Sequence, residues 1–411
     1  MVDPLRLFVR HGTATWAAGL VAGLMVGLAA CSTGTSPSAE PTAAGPAATS
    51  LPSTSSGTTA PATDPPSAAP ARVPEPSDRK RLALRKVLTG DITPKSVVAS
   101  GRGLVVAQNM IYTHTVTAYD ARSLALVKTI PDTVVPAEFG FLEYPDPVRG
   151  GPVEAAFSPD GRSLYVSNYS MYGPGFRRPG DDTCSPAEHR DDSFVYRIDV
   201  TSRKITQLIR VGAVPKFLAV SPDGRRLLVS NWCSYSVSLV DTATGKEIRQ
   251  VRVGRYPRGI AVSPDSRFGY IAVMGSQRIA RLDLSTRKVD YLEDVGSGPR
   301  HVLLSPDGRF LFVTLNGEGR MVKLDLSTGR RVDAVRTGQQ PRTMTMASDG
   351  RTVYVANYAS STVSAVRTSD LAVLQTVPTA IHPIGITYDA GTGNVWVACY
   401  RGELMVFRAT A

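Results

Sequence analysis

Histidine and cysteine are scarce in this chain, five and four among 411 residues. None falls in a Cys-x-x-Cys, His-x-x-x-His or Cys-x-x-Cys-His pattern, so zinc and covalently attached haem have no local signature. There is no Gly-x-Ser-x-Gly elbow and no phosphate-cradling glycine loop, so the common hydrolase and nucleotide-binding signatures are missing. Long apolar runs are missing too. The longest stretch, Trp16 to Ala30, is too short for a membrane span. Arg6 and Arg10 precede it, and Leu28-Ala29-Ala30-Cys31 closes it. A basic start, a short apolar core and small residues before a cysteine describe a lipoprotein signal peptide over residues 1–30. Cys31 is then the lipidated first residue of the mature chain, held at a membrane surface outside the cytoplasm.

Aromatic residues are absent from Ser32 to about Ser77, and charges there are few. A Ser/Thr/Pro/Ala/Gly segment of this kind cannot bury enough apolar surface to fold. Residues 31–78 are therefore expected to be a disordered tether, which also suits a glycosylated stalk. The folded part is expected over residues 79–411. Basic residues outnumber acidic ones by 46 to 35. An exported basic protein meets anionic lipids and envelope polymers; nucleic acid would bind only as an unspecific polyanion.

What is abundant is a repeat. Asp199, Asp241, Asp283 and Asp325 are spaced by 42 residues, and so are Asp223, Asp265, Asp307 and Asp349. The second series lies in Ser221-Pro222-Asp223-Gly224 and its equivalents, which are turn signals between short apolar runs. Four short strands per 42 residues specify a β-propeller. Innermost strands centre near Val97, Ala155, Leu218, Ile260, Val302, Met344 and Ile386, which makes seven blades. The chain ends after a third strand, Glu403 to Phe407, and Leu82 to Leu88 reads as an unattached fourth. The expected fold is all-β: seven blades of four antiparallel strands, closed by the N-terminal strand.

Leu164-Tyr165-Val166-Ser167-Asn168, Leu228-Val229-Ser230-Asn231 and Tyr354-Val355-Ala356-Asn357 resemble the repeat that names the YVTN family of propellers. The chain resembles its YncE-like branch of bacterial envelope proteins from about Leu82 to Ala411. That resemblance implies an architecture and a location, and no shared reaction.

Two intervals break the repeat. An excess of 21 residues falls between Asn168 and Ser193, and an excess of 16 falls at about Pro131 to Gly150. Both belong to loops on one face above blade 2, which marks a specialised surface. Cys184 lies in the first insertion and Cys233 in the corresponding loop of the next blade, so a Cys184–Cys233 disulfide is expected, leaving Cys399 as a buried thiol. Asp181, Asp182, Glu188, Asp191 and Asp192 match no calcium-loop spacing and read as a solvated acidic loop. No metal and no cofactor is expected.

The residue after the proline that opens each innermost strand is basic in five blades: Lys95, Lys216, Arg258, Arg300 and Arg342. Val153 and Ile384 take that place in the other two. Cations converging on a concave mouth suit a carboxylate or phosphate. Asn168, Asn231 and Asn357, with Trp232 and Tyr358, are placed on the same face as further ligand contacts. Three functions follow from this pattern. One is a monomeric, membrane-anchored binding module for an anionic envelope polymer, a small anion or a partner protein. A second is a hydrolase resembling propeller lactonases, with His301, Glu154 and His382 as acid/base candidates. A third is an inert scaffold docking an envelope protein through an apolar patch at Phe139, Phe141 and Tyr144.

Overall fold

The computed structural model describes residues 75–410. The signal peptide, Cys31 and nearly all of the expected tether lie outside the described residues. Seven four-stranded antiparallel sheets stand around a central channel, and each blade's strands are lettered A to D outward. The A strands are Pro94–Ala99, Pro152–Phe157, Pro215–Val220, Pro257–Val262, Pro299–Leu304, Pro341–Met346 and Pro383–Asp389, in blades 1 to 7. Blade 7 takes its B and C strands from Asn394–Cys399 and Glu403–Thr410, and its D strand from the N-terminal Arg81–Leu88. This closure joins the two ends of the fold and leaves the ring without an open seam. Ahead of it, Ser77 donates from its backbone N–H and its hydroxyl to the Asp349 carboxylate, at 2.7 and 2.6 Å.

The repeat works through turn chemistry. In the A–B turn of blade 3, the Ser221 hydroxyl donates to Asp223 and accepts from the Arg226 amide at 2.9 Å, while Asp223 also accepts from the Arg225 amide at 3.0 Å. In the C–D turn, Asp241 accepts from the Ala243 and Thr244 amides at 3.1 and 2.9 Å. Each aspartate therefore satisfies backbone donors that no ladder reaches. Between neighbouring blades, inward-facing residues of all four strands interdigitate. Val106, Val116 and Ile130 of blade 1, for example, pack with Ala155, Leu164 and Ile198 of blade 2.

Every A strand carries an irregularity just after its opening proline. The register passes from Pro215↔Asn231 to Phe217↔Ser230, which leaves Lys216 unmatched, and a net one-residue slip follows the proline in every blade, spread over Arg258-Gly259 in blade 4 and Arg342-Thr343 in blade 6. A bulge re-aims the side chain it contains. Here the irregular stretch includes Lys95, Val153, Lys216, Arg258, Arg300, Arg342 or Ile384.

The two insertions form one body. Thr133–Val134 pairs with Val148–Arg149, and Arg149 and Tyr172 exchange backbone hydrogen bonds at 2.8 and 2.7 Å across the two loops. Tyr144 stacks on Phe176 at 4.6 Å, and Phe141 meets Phe194 edge-on at 4.8 Å. Phe139, Phe141 and Tyr144 are half-buried against the core between blades 1 and 2. They are used in joining the insertions to the ring, so the exposed patch expected of a docking scaffold is not formed there.

A titratable pair links the insertion to blade 1. The His114 ring lies 3.2 Å from the carboxylate of the buried Asp132, with the Gly150 carbonyl at 2.7 Å and Arg149 and Tyr172 as its other polar and aromatic neighbours. The bond to Asp132 raises the His114 pKa above its ordinary value, against burial and Arg149. A raised folded-state pKa gives stability that is complete below the unfolded value of about 6.5 and is lost as pH rises through the folded value. The thermal midpoint should therefore decline on going from mildly acidic to mildly basic pH. His114→Gln should flatten that part of the profile, as differential scanning calorimetry across the range would record.

Candidate functional site

The channel is layered by sequence position. Its outer layer follows the last residue of each B strand: Met110, Tyr169, Trp232, Met274, Asn316, Tyr358 and Tyr400. The backbone amides of the last six donate to the loop before the facing A strand, for example Trp232 to the Val214 carbonyl at 2.9 Å and Tyr400 to the His382 carbonyl at 3.0 Å. The accepting residue in blades 3 to 7 has positive φ, and Val214, at 55°, does so despite its β-branch. These bonds fix the rim above the bulged positions.

The second layer is the ring of cations. Lys95, Lys216, Arg258 and Arg300 are each at most 6% exposed, and Arg342 is partly buried. They stand at the same position of five A strands that pack around one channel. Burial lowers the Lys95 pKa well below its ordinary value, and Arg258, Arg300 and Lys216 add to that effect. Burial likewise lowers Arg300, with Arg258 and Arg342 next in weight, and brings Arg342 to about 10.

Compensation around the ring is one-sided. Lys95 has Glu154 at 3.9 Å, within ion-pair reach but beyond hydrogen-bond distance. Lys216 is paired directly with Asp182 and sits over the Tyr169 and Trp232 rings at 4.3 and 5.0 Å. Burial nevertheless depresses its pKa to about 8. Arg258, Arg300 and Arg342 have no carboxylate within 4.0 Å among the described residues. Arg300 approaches only the Met274 sulfur, at 3.7 Å. Arg342 donates to Gln340 at 3.1 Å and lies over Tyr358 at 4.1 Å, with its Nε unpartnered. Blades 4, 5 and 6 thus present a continuous arc of guanidiniums with no carboxylate in direct contact among the described residues.

A third layer lies one residue further along the A strands and includes Ser96, Glu154, Phe217, Gly259 and His301. Gly259 is required here, since a β-carbon would stand 2.7 Å from the His301 Cα. His301 is buried, meets Phe217 edge-on at 5.1 Å and has an unpartnered Nδ1. Burial, with Arg258 and Arg300, drops its pKa to about 3. Burial raises the Glu154 pKa against the pull of Lys95 and Arg258. Glu154 faces Lys95 and not His301, while His382 is out at the rim, stacked on Tyr358 at 4.3 Å. The three candidates for acid/base work are not assembled as one set.

Other expected contacts are placed differently from the sequence reading. Asn168, Asn231 and Asn357 are fully buried. The Asn231 amide donates to Ser236 and Ser238 at 3.2 and 2.8 Å, Asn357 to Thr362 and Ser364 at 3.2 and 3.0 Å, and Asn168 to the Phe194 carbonyl at 3.0 Å. They brace the B–C bends and do not line the channel. Trp232 is stacked on Tyr256 at 4.4 Å inside a small cluster with Cys184, Val214 and Cys233, so it supports the rim from within. Tyr358 carries both Arg342 and His382 on its ring.

Asp182 is one of five acidic residues in its loop, and the sequence does not single it out. Cys184 and Cys233 are disulfide-bonded with Cα atoms 5.3 Å apart, and Cys399 is a buried thiol whose pKa burial pushes to about 12. The bridge, the Trp232 indole donating to the Asp182 carbonyl at 3.1 Å, and Arg190 binding Asp181 at 3.0 Å hold this loop over the mouth. Gly180 fits because it has no side chain; a β-carbon would overlap Val214. Partial desolvation would raise the Asp182 carboxyl pKa, but Lys216 and Arg258 outweigh it and hold it well below the ordinary range, while the side chain stays largely open to solvent.

The profile of the Cytochrome D1 heme domain family matches residues 301–389, from strand A of blade 5 into strand A of blade 7. Among solved structures, a chain of Kuenenia stuttgartiensis Hydrazine Synthase is similar in fold, with a TM-score of 0.61 and 19% identity. The alignment covers 79% of this chain and 97% of that one. No curated protein matches. These likenesses agree with the β-propeller architecture.

Proposed function

We propose that this propeller is a binding module of the YVTN, YncE-like kind, tethered at the cell envelope through a lipidated Cys31, and that its central channel takes an anionic ligand. The observation that carries the reading is the burial of Arg258 and Arg300 with no carboxylate partner. Burying an unpaired cation is costly. Blades 2 and 7 fill the equivalent bulge with Val153 and Ile384, so the architecture itself does not demand a charge. The guanidiniums make sense as preformed, desolvated donors for carboxylate or phosphate oxygens. The matched family name mentions haem. That group is not carried over, because the profile covers only residues 301–389, well under half of the chain.

A ligand that binds only the folded state stabilises it by an amount that grows with its concentration, about 2.7 kcal/mol at one hundred times Kd. Phosphate titrated against the purified chain at constant ionic strength should raise the thermal midpoint and saturate. Arg258→Ala/Arg300→Ala should abolish the rise. Equal shifts in both proteins would reduce the ring to surface charge and end this reading.

A further inference from the structure

The distribution of charge within the channel restricts the ligand further. Two of the five cations already have carboxylates, Lys95 with Glu154 and Lys216 with Asp182. Three guanidiniums on consecutive blades remain. A monocarboxylate would leave most of that charge unanswered. A phosphomonoester carries close to two negative charges at neutral pH and offers three oxygens, each able to accept from a guanidinium fork.

Beside the arc, bonded to Lys216 of blade 3 and Tyr169 of blade 2, stands Asp182. Its side chain is 64% exposed, unlike the cations below it. Both of its hydrogen bonds, from Lys216 and from the Tyr169 hydroxyl, reach Oδ1. Oδ2 has no partner among the described residues. The carboxylate is close enough to act electrostatically on Arg258, Arg300 and Arg342. The channel mouth therefore has a cationic side on blades 4 to 6 and a fixed anionic acceptor on the insertion side. A bare anion is attracted by the first and repelled by the second. A molecule with a phosphate at one end and hydroxyl donors at the other satisfies both.

Resting on the anion-site reading above, we infer that the ligand is a short phosphorylated polyol or sugar end, with its phosphate on Arg258, Arg300 and Arg342 and a hydroxyl donated to Asp182. The Cys184–Cys233 disulfide and Arg190 then serve selectivity by fixing the acceptor in place. Asp182 is a specificity residue, and its effect has opposite signs for the two halves of the ligand.

Calorimetric titration of the purified full chain with glycerol 3-phosphate, inorganic phosphate, glycerol and citrate tests this. Glycerol 3-phosphate should bind about 10-fold or more tighter than inorganic phosphate, the worth of one hydrogen bond to a charged acceptor. Asp182→Asn should erase most of that preference while leaving phosphate binding equal or stronger. Retained phosphate binding also shows that the variant's site is intact. If phosphate binds in an Arg258-dependent way but glycerol 3-phosphate gains nothing, or if citrate binds tightest, the polyol phosphate assignment falls and the anion site stands. If no anion binds, both fall.

Discussion

Arg258→Met/Arg300→Met is expected to melt at a higher temperature than the wild type when no ligand is added, and to lose anion binding. The two side chains are buried, repel each other and have no carboxylate within 4.0 Å among the described residues. Methionine keeps much of the volume and removes the charge. Replacing poorly compensated buried charges by well-packed apolar groups stabilises by about 1–4 kcal/mol in comparable cases. The variant should show no phosphate-dependent rise in midpoint, whereas the wild type should overtake it as phosphate is added. Such a crossing of two melting curves separates a ligand site from a structural cluster. A variant less stable than the wild type in ligand-free buffer would mean that the arginines hold the ring together.

The second large effect concerns the disulfide. Cys184 and Cys233 are separated by 49 residues. Closing a loop of that length in the unfolded chain is worth up to about 4 kcal/mol in the chain-entropy picture, and less where the unbridged loop can relax. Cys184→Ser/Cys233→Ser should therefore lower stability by about 2–4 kcal/mol in denaturant unfolding. Hydrogen exchange should quicken in residues 179–184 well before it does in the B strands, because Val214, Gly180 and Trp232 pack around the bridge and not within the sheet. Uniform quickening across all blades would show that the bridge supports the ring as a whole.

The ring of cations was legible because a 42-residue count links Lys216, Arg258, Arg300 and Arg342. The same count links Trp232, Met274, Asn316, Tyr358 and Tyr400, but their side chains differ in type, so the shared layer is marked by position and not by chemistry. The bulges that turn the cations inward left no mark of their own beyond the proline ahead of them. The asparagines differ from their expected placement for a related reason. A polar residue at the end of a strand reads as exposed, but in this repeat Asn231 and Asn357 bend back onto hydroxyls of the C strand. Asp182 could not have been singled out from Asp181, Asp191 and Asp192, since only the folded path of the insertion takes one of them over the channel. Asp191, by contrast, accepts from the Arg177 and Arg178 amides within its own loop.

Crystals of the purified chain grown with tungstate, a phosphate-shaped anion with strong anomalous scattering, give the most direct test of a channel anion site. The account predicts one dominant anomalous peak in the channel, within hydrogen-bond distance of the Arg258 and Arg300 guanidiniums and on the side away from Asp182. Peaks confined to exposed lysines and arginines on the outer strands, with the channel arginines contacting only water, would contradict it.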